Sequence, residues 1–322
     1  MPKIAYFIDP DGPMAKISME YAPADWDVRI VDAAKAPVAD QIAAAQDADA
    51  LMVMGAKPGE DVLRAAKKAR LYQLGSAGYD GVDMALAGEL GIPVATASGT
   101  NAQGVAEQFI ALTLALYRHL PWCDATVRSG EWKPPRASGF ETYEIMGKTV
   151  GIAGAGNIGS TVMKLLNGFD VTLLYHDVEP KPDLEQRYGA QRVGLDELLS
   201  ESDIVTVHVP LLSSTRKMIG ARELSMMKPS AILINTSRGG TVDEAALADA
   251  LRQRTIWGAG LDVFEQEPTP RDNPLLRLDN VVLSPHVAGP TAESFPRRAM
   301  FAFENIRRAL SGEEPRNIVT AM

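Results

Sequence analysis

Apolar residues fall in short continuous runs, separated by longer stretches in which Ala, Lys, Glu and Leu recur at helical spacing. Runs at residues 4–8, 50–54, 71–74 and 93–95 predict strands, and stretches such as 60–70 and 82–90 predict helices between them. A second series of the same form predicts strands at 149–153, 171–175, 204–207, 231–234, 258–261 and 281–283, with helices such as 158–166 and 244–251. Strands without polar alternation belong in parallel sheets whose two faces are both covered by helices. Two such series predict an α/β protein of two doubly wound domains. A long Ala-rich helical pattern at 101–120 joins the series, and another lies at 291–310. Residues 121–147, with Trp122, Trp132, Pro134 and Pro135, show no clear period and are too long for an ordinary loop, so they are expected to pack against something, a partner subunit foremost.

Composition agrees with a folded chain. At about 150 residues per domain, 322 residues suggest two domains. The 46% of hydrophobic and 23% of charged residues supply ample core material. Lys and Arg number 32 against 41 Asp and Glu, a net charge of −9 that repels a phosphate backbone and argues against a nucleic-acid partner. Cys123 is the single cysteine, which excludes an internal disulfide framework and a Cys-based zinc site, and no motif indicates a metal. The N-terminal apolar run is too short for a signal peptide, and the most apolar stretch, 109–117, is about half a membrane span. A cytoplasmic location without membrane contact is the expectation.

One turn carries chemistry. Gly154, Gly156 and Gly159 form G-x-G-x-x-G directly after a predicted strand and at the start of a predicted helix. Gly154 permits a tight turn, Gly156 lets the backbone approach a pyrophosphate, and Gly159 lets helix and strand pack closely. The free N–H groups of the helix start then face the anion. Asp177 ends the next strand, 18 residues beyond Gly159, where a carboxylate can accept hydrogen bonds from ribose hydroxyls and repel a 2′-phosphate. Val178, Glu179 and Pro180 follow, and Lys181 is the nearest cation along the chain, so NAD is favoured over NADP. A plain strand–helix turn, with Asp177 as a turn residue, is the alternative.

Three ionisable residues follow predicted strands in the second series: Arg238 after Ile234-Asn235-Thr236-Ser237, Glu267 after Leu261-Asp262, and His286 after Leu283-Ser284-Pro285. Ligands of open α/β sheets bind outside the carboxyl ends of the strands. A 2-hydroxy acid needs a cation for its carboxylate, and Arg offers a planar fork. Its hydroxyl needs an acid/base, for which His is suited, and a carboxylate beside a His favours the protonated ring. Taken singly, each residue could equally be a surface charge or a turn residue.

Together these segments resemble the D-isomer-specific 2-hydroxyacid dehydrogenase family, over nearly the whole chain. Residues 198–210 with Thr215 resemble its second signature, and Met227-Lys228-Pro229 through Arg238-Gly239-Gly240-Thr241-Val242-Asp243 resemble its third, although Thr241 stands where the family usually has an aliphatic residue. The resemblance implies a Rossmann nucleotide-binding domain over 100–289, inserted into a flavodoxin-like substrate domain of 1–99 and 290–322, with joins near Gly99 and Gly289. It implies catalytic roles for Arg238, Glu267 and His286. Gly154, Gly156, Asn157, Ile158, Gly159, Asp177, His208, Val209, Pro210, Thr215, Thr236, Ser237, Arg238, Asp262, His286, Ala288 and Gly289 would line the cofactor site, with Asp262 near the nicotinamide carboxamide.

The stretch Leu74-Gly75-Ser76-Ala77-Gly78-Tyr79-Asp80-Gly81-Val82-Asp83 resembles the family's substrate loop, whose N–H groups at Ala77 and Gly78 meet the substrate carboxylate. Gly55, in Met54-Gly55-Ala56-Lys57-Pro58, and Asn101 would join Arg238 and His286 in binding substrate. Lys57 is the single cation of that segment, too little charge for a phosphorylated substrate. The resemblance therefore implies NAD(H)-linked, D-stereospecific reduction of a small unphosphorylated 2-oxo acid, with glyoxylate or hydroxypyruvate first, by a homodimer. Trp132 sits where related reductases extend an arm to the neighbouring subunit. The alternative is a non-enzymatic NAD-sensing protein, like the corepressors that share this scaffold and keep a similar Arg, Glu and His.

Overall fold

The computed structural model describes residues 1–319. Among these, the strands in chain order are β1 (Lys3–Phe7), β2 (Asp27–Val31), β3 (Ala50–Val53), β4 (Tyr72–Leu74), β5 (Val94–Ala95), β6 (Thr149–Ala153), β7 (Thr172–His176), β8 (Gln191–Arg192), β9 (Ile204–Val207), β10 (Ile232–Asn235), β11 (Gly258–Leu261), β12 (Val281–Leu283) and β13 (Ile318–Val319). The chain divides into two compact units. One comprises Met1–Asn101 with the stretch from Pro290, and the other is Ala102–Gly289.

The first unit holds a sheet of order β13-β5-β4-β3-β1-β2, parallel except for β13. Strands β1, β3, β4 and β5 bury both faces, which is why they read as unbroken apolar runs. Ala5, Phe7, Leu51, Val53, Tyr72, Leu74 and Val94 point to one core, while Ile4, Tyr6, Ala50, Met52 and Ala95 meet Phe303 and Ile306 of the helix Ser294–Leu310 on the other. The buried amides of Gln73 and Asn305 join sheet to helix: Asn305 Nδ2 donates to Gln73 Oε1 at 2.7 Å.

The second unit holds an all-parallel sheet of order β8-β7-β6-β9-β10-β11-β12. This is the doubly wound nucleotide-binding order with one added strand, and its direction reverses between β6 and β9. The carboxyl ends of those strands carry the glycine-rich turn and His208-Val209-Pro210. The helix Ala102–Tyr117 packs Phe109, Leu112 and Leu116 into the core beneath the sheet.

Several elements depart from the pattern-based expectation. β2 escapes because it alternates exposed and covered positions at a sheet edge. β8 and β13 have two residues each, too few for any period. The helix expected over 60–70 ends at Ala65. Residues 121–147 are not without structure: Leu120–Arg128 is a helix with Pro121 in its first turn, and Arg136–Ser138 forms a 3-10 turn. That helix buries only Thr126, so it has no apolar core face from which a period could be read.

Candidate active site

The glycine-rich turn is built by contacts that exclude side chains. Gly154 has φ +97°, and a Cβ there would lie 2.8 Å from the His208 carbonyl carbon. A Cβ on Gly159 would lie 2.1 Å from the Gly154 oxygen. Gly156, which starts the helix Asn157–Leu166, is different: a Cβ there meets nothing within 4 Å. An open approach to helix N–H groups suits a pyrophosphate. Asp177 Oδ2 accepts a hydrogen bond from the Ala155 N–H at 2.8 Å, so the acid at the end of β7 is fastened to the same turn.

The sides of this region are polar. Thr215 Oγ1 donates to the Pro210 carbonyl at 2.5 Å and accepts from Leu212 N–H, closing the 210–215 loop. His208 is packed edge-to-face on Phe109, with Nε2 2.9 Å from Thr206 Oγ1. Burial pushes its imidazole down to about 3, so it is a neutral ring at physiological pH. His208 Nδ1 and Thr236 Oγ1 are buried and have no hydrogen-bond partner among the described residues. Buried polar atoms are ordinarily paired, so these two fit a ligand with its own donors and acceptors. Together with the open Gly156 face, they make the residues present compatible with a dinucleotide.

Arg238 sits just beyond β10 in extended backbone. Its carbonyl accepts from Asn235 Nδ2 at 3.0 Å and Thr241 Oγ1 at 2.7 Å, and its Nη1 donates to the Ser237 carbonyl at 2.8 Å. Ser237 Oγ donates to Asn235 Oδ1 at 2.7 Å. The Thr241 hydroxyl, unusual for the family pattern, thus helps to fix the turn that presents Arg238. Gly239 brings this turn against the segment that leads to Glu267, since a Cβ there would fall 1.9 Å from the Phe264 carbonyl carbon.

Glu267 and His286 meet directly: His286 Nδ1 lies 2.7 Å from Glu267 Oε2. Glu267 Oε1 accepts from Phe264 N–H at 3.0 Å, which holds the carboxylate on its own loop. His286 adopts φ +54°, a left-handed conformation rare outside glycine and often found where a side chain is aimed for function. Asp262 enforces it. Its buried carboxylate accepts from Ser284 Oγ, Val287 N–H and Ala288 N–H, and its carbonyl accepts from His286 N–H. The geometry therefore gives Asp262 a positioning task on the 284–288 turn, which its place in the sequence did not reveal. The Arg238 turn and the segment leading to Glu267 meet through Gly239 and Phe264.

In the first unit, Ser76 Oγ donates to the Gly78 carbonyl at 2.6 Å, shaping the loop that carries Ala77 and Gly78. Lys57 Nζ donates to the Asp80 carbonyl and so ties the 54–58 segment to that loop. Asn101 Oδ1 is buried without a partner among the described residues. No group of three or more His, Cys, Asp or Glu residues that could hold a metal occurs among the described residues, and no helix of theirs is long and apolar enough to cross a membrane.

Sequence spacing also missed Arg192. It lies on β8, paired with Tyr175 of β7, and its Nη2 donates to the carbonyls of Asp177 and Val178 at 3.0 and 3.1 Å. Lys181 Nζ lies 3.9 Å from Asp177 Oδ1. Two cations thus border the Asp177 turn, one of them brought from 15 residues away by strand pairing.

A doubly wound sheet with a pyrophosphate turn, an aimed His–Glu pair and a braced Arg defines a nicotinamide-dinucleotide oxidoreductase. Residues 110–288 match the family model described as D-isomer specific 2-hydroxyacid dehydrogenase, NAD binding domain. A glyoxylate reductase from Korarchaeum cryptofilum is 42% identical over 279 residues, 85% of this chain and 83% of that protein. Two solved structures each cover 99% of the chain. The NADPH-dependent glyoxylate/hydroxypyruvate reductase from Sinorhizobium meliloti, in complex with NADP and malonate, has a TM-score of 0.82 at 32% identity over 97% of its own length. The D-lactate dehydrogenase with NAD+ from Lactobacillus jensenii has a TM-score of 0.83 at 27% identity over its full length. The chain belongs to the D-isomer-specific 2-hydroxyacid dehydrogenase family and is an NAD(P)-linked 2-hydroxyacid dehydrogenase.

Proposed function

We propose that the protein is an NADH-dependent, D-specific reductase of small unphosphorylated 2-oxo acids, with glyoxylate or hydroxypyruvate as substrate. The observation that carries this reading is the 2.7 Å bond between His286 Nδ1 and Glu267 Oε2 on a backbone that aims the ring. With Nδ1 committed to the carboxylate, Nε2 is the nitrogen left to work on substrate. His286 donates the Nε2 proton to the carbonyl oxygen during reduction and takes it back from the hydroxyl during oxidation. Glu267 holds the ring in that tautomer and balances the imidazolium charge. The guanidinium of Arg238 pairs with the substrate carboxylate and polarises the carbonyl. The dinucleotide, when bound, supplies or accepts the hydride at the carbonyl carbon.

In the second unit, Gly154, Gly156, Asn157, Ile158 and Gly159 receive the pyrophosphate. Val209, Pro210, Thr215, Thr236, Ser237, Ala288 and Gly289 line the remainder of the cofactor site, with His208 and Asp262 behind them. Asp177 reads the adenosine ribose, and its charge supports NADH over NADPH, against the pull of Lys181 and Arg192 on the same turn. In the first unit, the N–H groups of Ala77 and Gly78, with Gly55 and Asn101, serve the substrate. Residues 100–289 act as the nucleotide-binding domain and the rest as the substrate domain. Leu120, Val127 and Trp132 are exposed at 59%, 55% and 76%, an apolar surface suited to a second copy of the chain in a homodimer. A single cysteine, Cys123, fits a reducing, cytoplasmic location.

The test is oxidation of NADH and NADPH, followed at 340 nm against a panel of 2-oxo acids from glyoxylate to aromatic acids, with chiral analysis of the product. Turnover with NADH to a D-hydroxy acid is expected. Tight dinucleotide binding without turnover of any acid would overturn the reductase reading in favour of a sensor.

A further inference from the structure

The helix Ala102–Tyr117 is apolar where it meets the sheet, with Phe109, Leu112 and Leu116 buried there. Its other polar side chains bond within the helix itself. Thr113 Oγ1 donates to the Phe109 carbonyl at 2.8 Å, and Gln103 Nε2 donates to Glu107 Oε1 at 2.6 Å. Gln108 is different. Its Nε2 donates to Ser284 Oγ at 3.0 Å, the one hydrogen bond that a side chain of this helix makes beyond the helix among the described residues. Gln108 and Ser284 are both half-buried. An amide in such a place costs free energy unless it is bonded, whereas a methionine of similar length would not.

This bond decides what Ser284 does. A hydroxyl has one proton to donate and lone pairs with which to accept. With the Gln108 N–H on its oxygen, the Ser284 proton goes to Asp262 Oδ1 at 2.5 Å. Asp262 is fully buried, and its carboxylate also accepts from Val287 N–H at 3.0 Å and Ala288 N–H at 2.9 Å. Ser284 is the only side chain among these three donors. A hydrogen bond to a carboxylate is stronger than a neutral one, and linked hydrogen bonds reinforce one another. Together they close the 284–288 turn, on which His286 is held at φ +54° with its N–H on the Asp262 carbonyl at 2.8 Å. Ser284 and Asp262 belong to the strand ends that bear the turn; Gln108 anchors them in a packed helix.

We propose that Gln108 is a positioning residue for the reaction. By holding the Ser284 hydroxyl as a donor to Asp262, it keeps the 284–288 turn, and with it the His286 ring, set against Glu267. This rests on the reductase reading above, in which His286 handles the substrate proton. Loss of the amide frees the Ser284 hydroxyl to rotate and weakens its bond to Asp262. The turn relaxes, and the bond between His286 Nδ1 and Glu267 Oε2 is formed for less of the time. A small misplacement of an acid/base lowers the rate without removing the group.

The experiment compares wild type, Gln108→Met, Ser284→Ala and the double variant, using NADH and the best 2-oxo acid of the panel. Three readouts are taken: kcat and KM, the nitrogen NMR signal of His286 in the ligand-free protein, and a thermal melt. Gln108→Met should lower kcat by about twofold to tenfold, the strength of one hydrogen bond, with a smaller change in KM. Its His286 Nδ1 signal should shift. Ser284→Ala should lose at least as much, and adding Gln108→Met to it should lower kcat no further, because both act through one path. An unchanged kcat and His286 signal in Gln108→Met overturns the proposal, as do losses that multiply in the double variant. A lower kcat and melting temperature with an unchanged His286 signal also overturns it, since Gln108 would then be structural only. If Gln108→Met does not fold, Gln108→Leu carries the same comparison. A wild type inert towards every acid sinks the reductase reading, while the His286 signal still tests whether Gln108 sets the ring.

Discussion

Each unit has a glycine close to a strand's carboxyl end, for opposite physical reasons. In the second unit, Gly159 and Gly239 are demanded by neighbours: a Cβ would fall within about 2 Å of backbone atoms at each. In the first unit, Gly55 has no such neighbour and no unusual backbone. The same contrast holds for the side chains around them. The turns bearing Arg238 and His286 are braced by Asn235, Thr241 and Asp262, whereas Gly55 is exposed and the Met54 sulphur beside it is held by Tyr6. A glycine in a sequence therefore has no single meaning; what its missing Cβ would touch decides whether the fold demands it.

The largest effect is expected where the braced turn ends in chemistry. Replacing His286 with Ala should lower kcat by about two to four decades, the usual worth of a positioned acid/base. His286→Asn, which tolerates the left-handed backbone better, should lose as much, and steady-state kinetics of both variants separate loss of the ring from loss of the turn. An unchanged rate would remove His286 from the mechanism.

Next comes Gly239→Ala. Forcing a methyl against Phe264 should cost about 1–3 kcal/mol or more of stability, read from denaturant unfolding. It should also reduce turnover by displacing Arg238 and the Glu267 segment together. Gly55→Ala on the same assay should leave stability equal or higher. If both alanine variants unfold alike, the contrast between the two glycines is broken.

How much of this was legible depended on distance along the chain. The β6 strand, the G-x-G-x-x-G turn and Asp177 lie within 29 consecutive residues, and local rules carry such patterns. The positions of Arg238, Glu267 and His286 beyond strand carboxyl ends were also readable, because each lies on the segment that follows its own strand, β10, β11 and β12. Asp262 beneath the His286 turn, Thr241 under Arg238 and Arg192 behind Asp177 were not. Each acts through a fold-made contact that residue type alone does not announce. The edge strands β2, β8 and β13 were lost for a related reason: alternation or brevity hides an edge that only pairing reveals.

A smaller effect tests the ribose turn. Asp177→Ala should narrow the preference for NADH over NADPH several-fold, because the repelling carboxylate goes while Lys181 and Arg192 remain. Binding of ADP-ribose against its 2′-phosphorylated form checks this without turnover. An unaltered ratio would assign the discrimination elsewhere.

The gentlest test uses pH. His208 is held neutral, with its folded-state value near 3 against an ordinary 6.5. Between these values the unfolded chain binds a proton that the folded chain does not, so stability should fall as pH falls through that window. A His208→Gln variant should show a shallower loss of stability between pH 6.5 and 4 in urea unfolding. Equal slopes would mean that the ring titrates freely in the folded state.

In the proposed mechanism Glu267 commits His286 Nδ1 and leaves Nε2 to handle the substrate proton. Nitrogen NMR of the four histidines tests it most directly, with the His286 signals assigned by their loss in His286→Asn. The expected result is a proton on His286 Nδ1, bridged to Glu267, and a changed Nδ1 signal in Glu267→Gln with a parallel loss of kcat. A His286 whose Nδ1 carries no proton, or whose spectrum and turnover are the same in Glu267→Gln as in wild type, would contradict it.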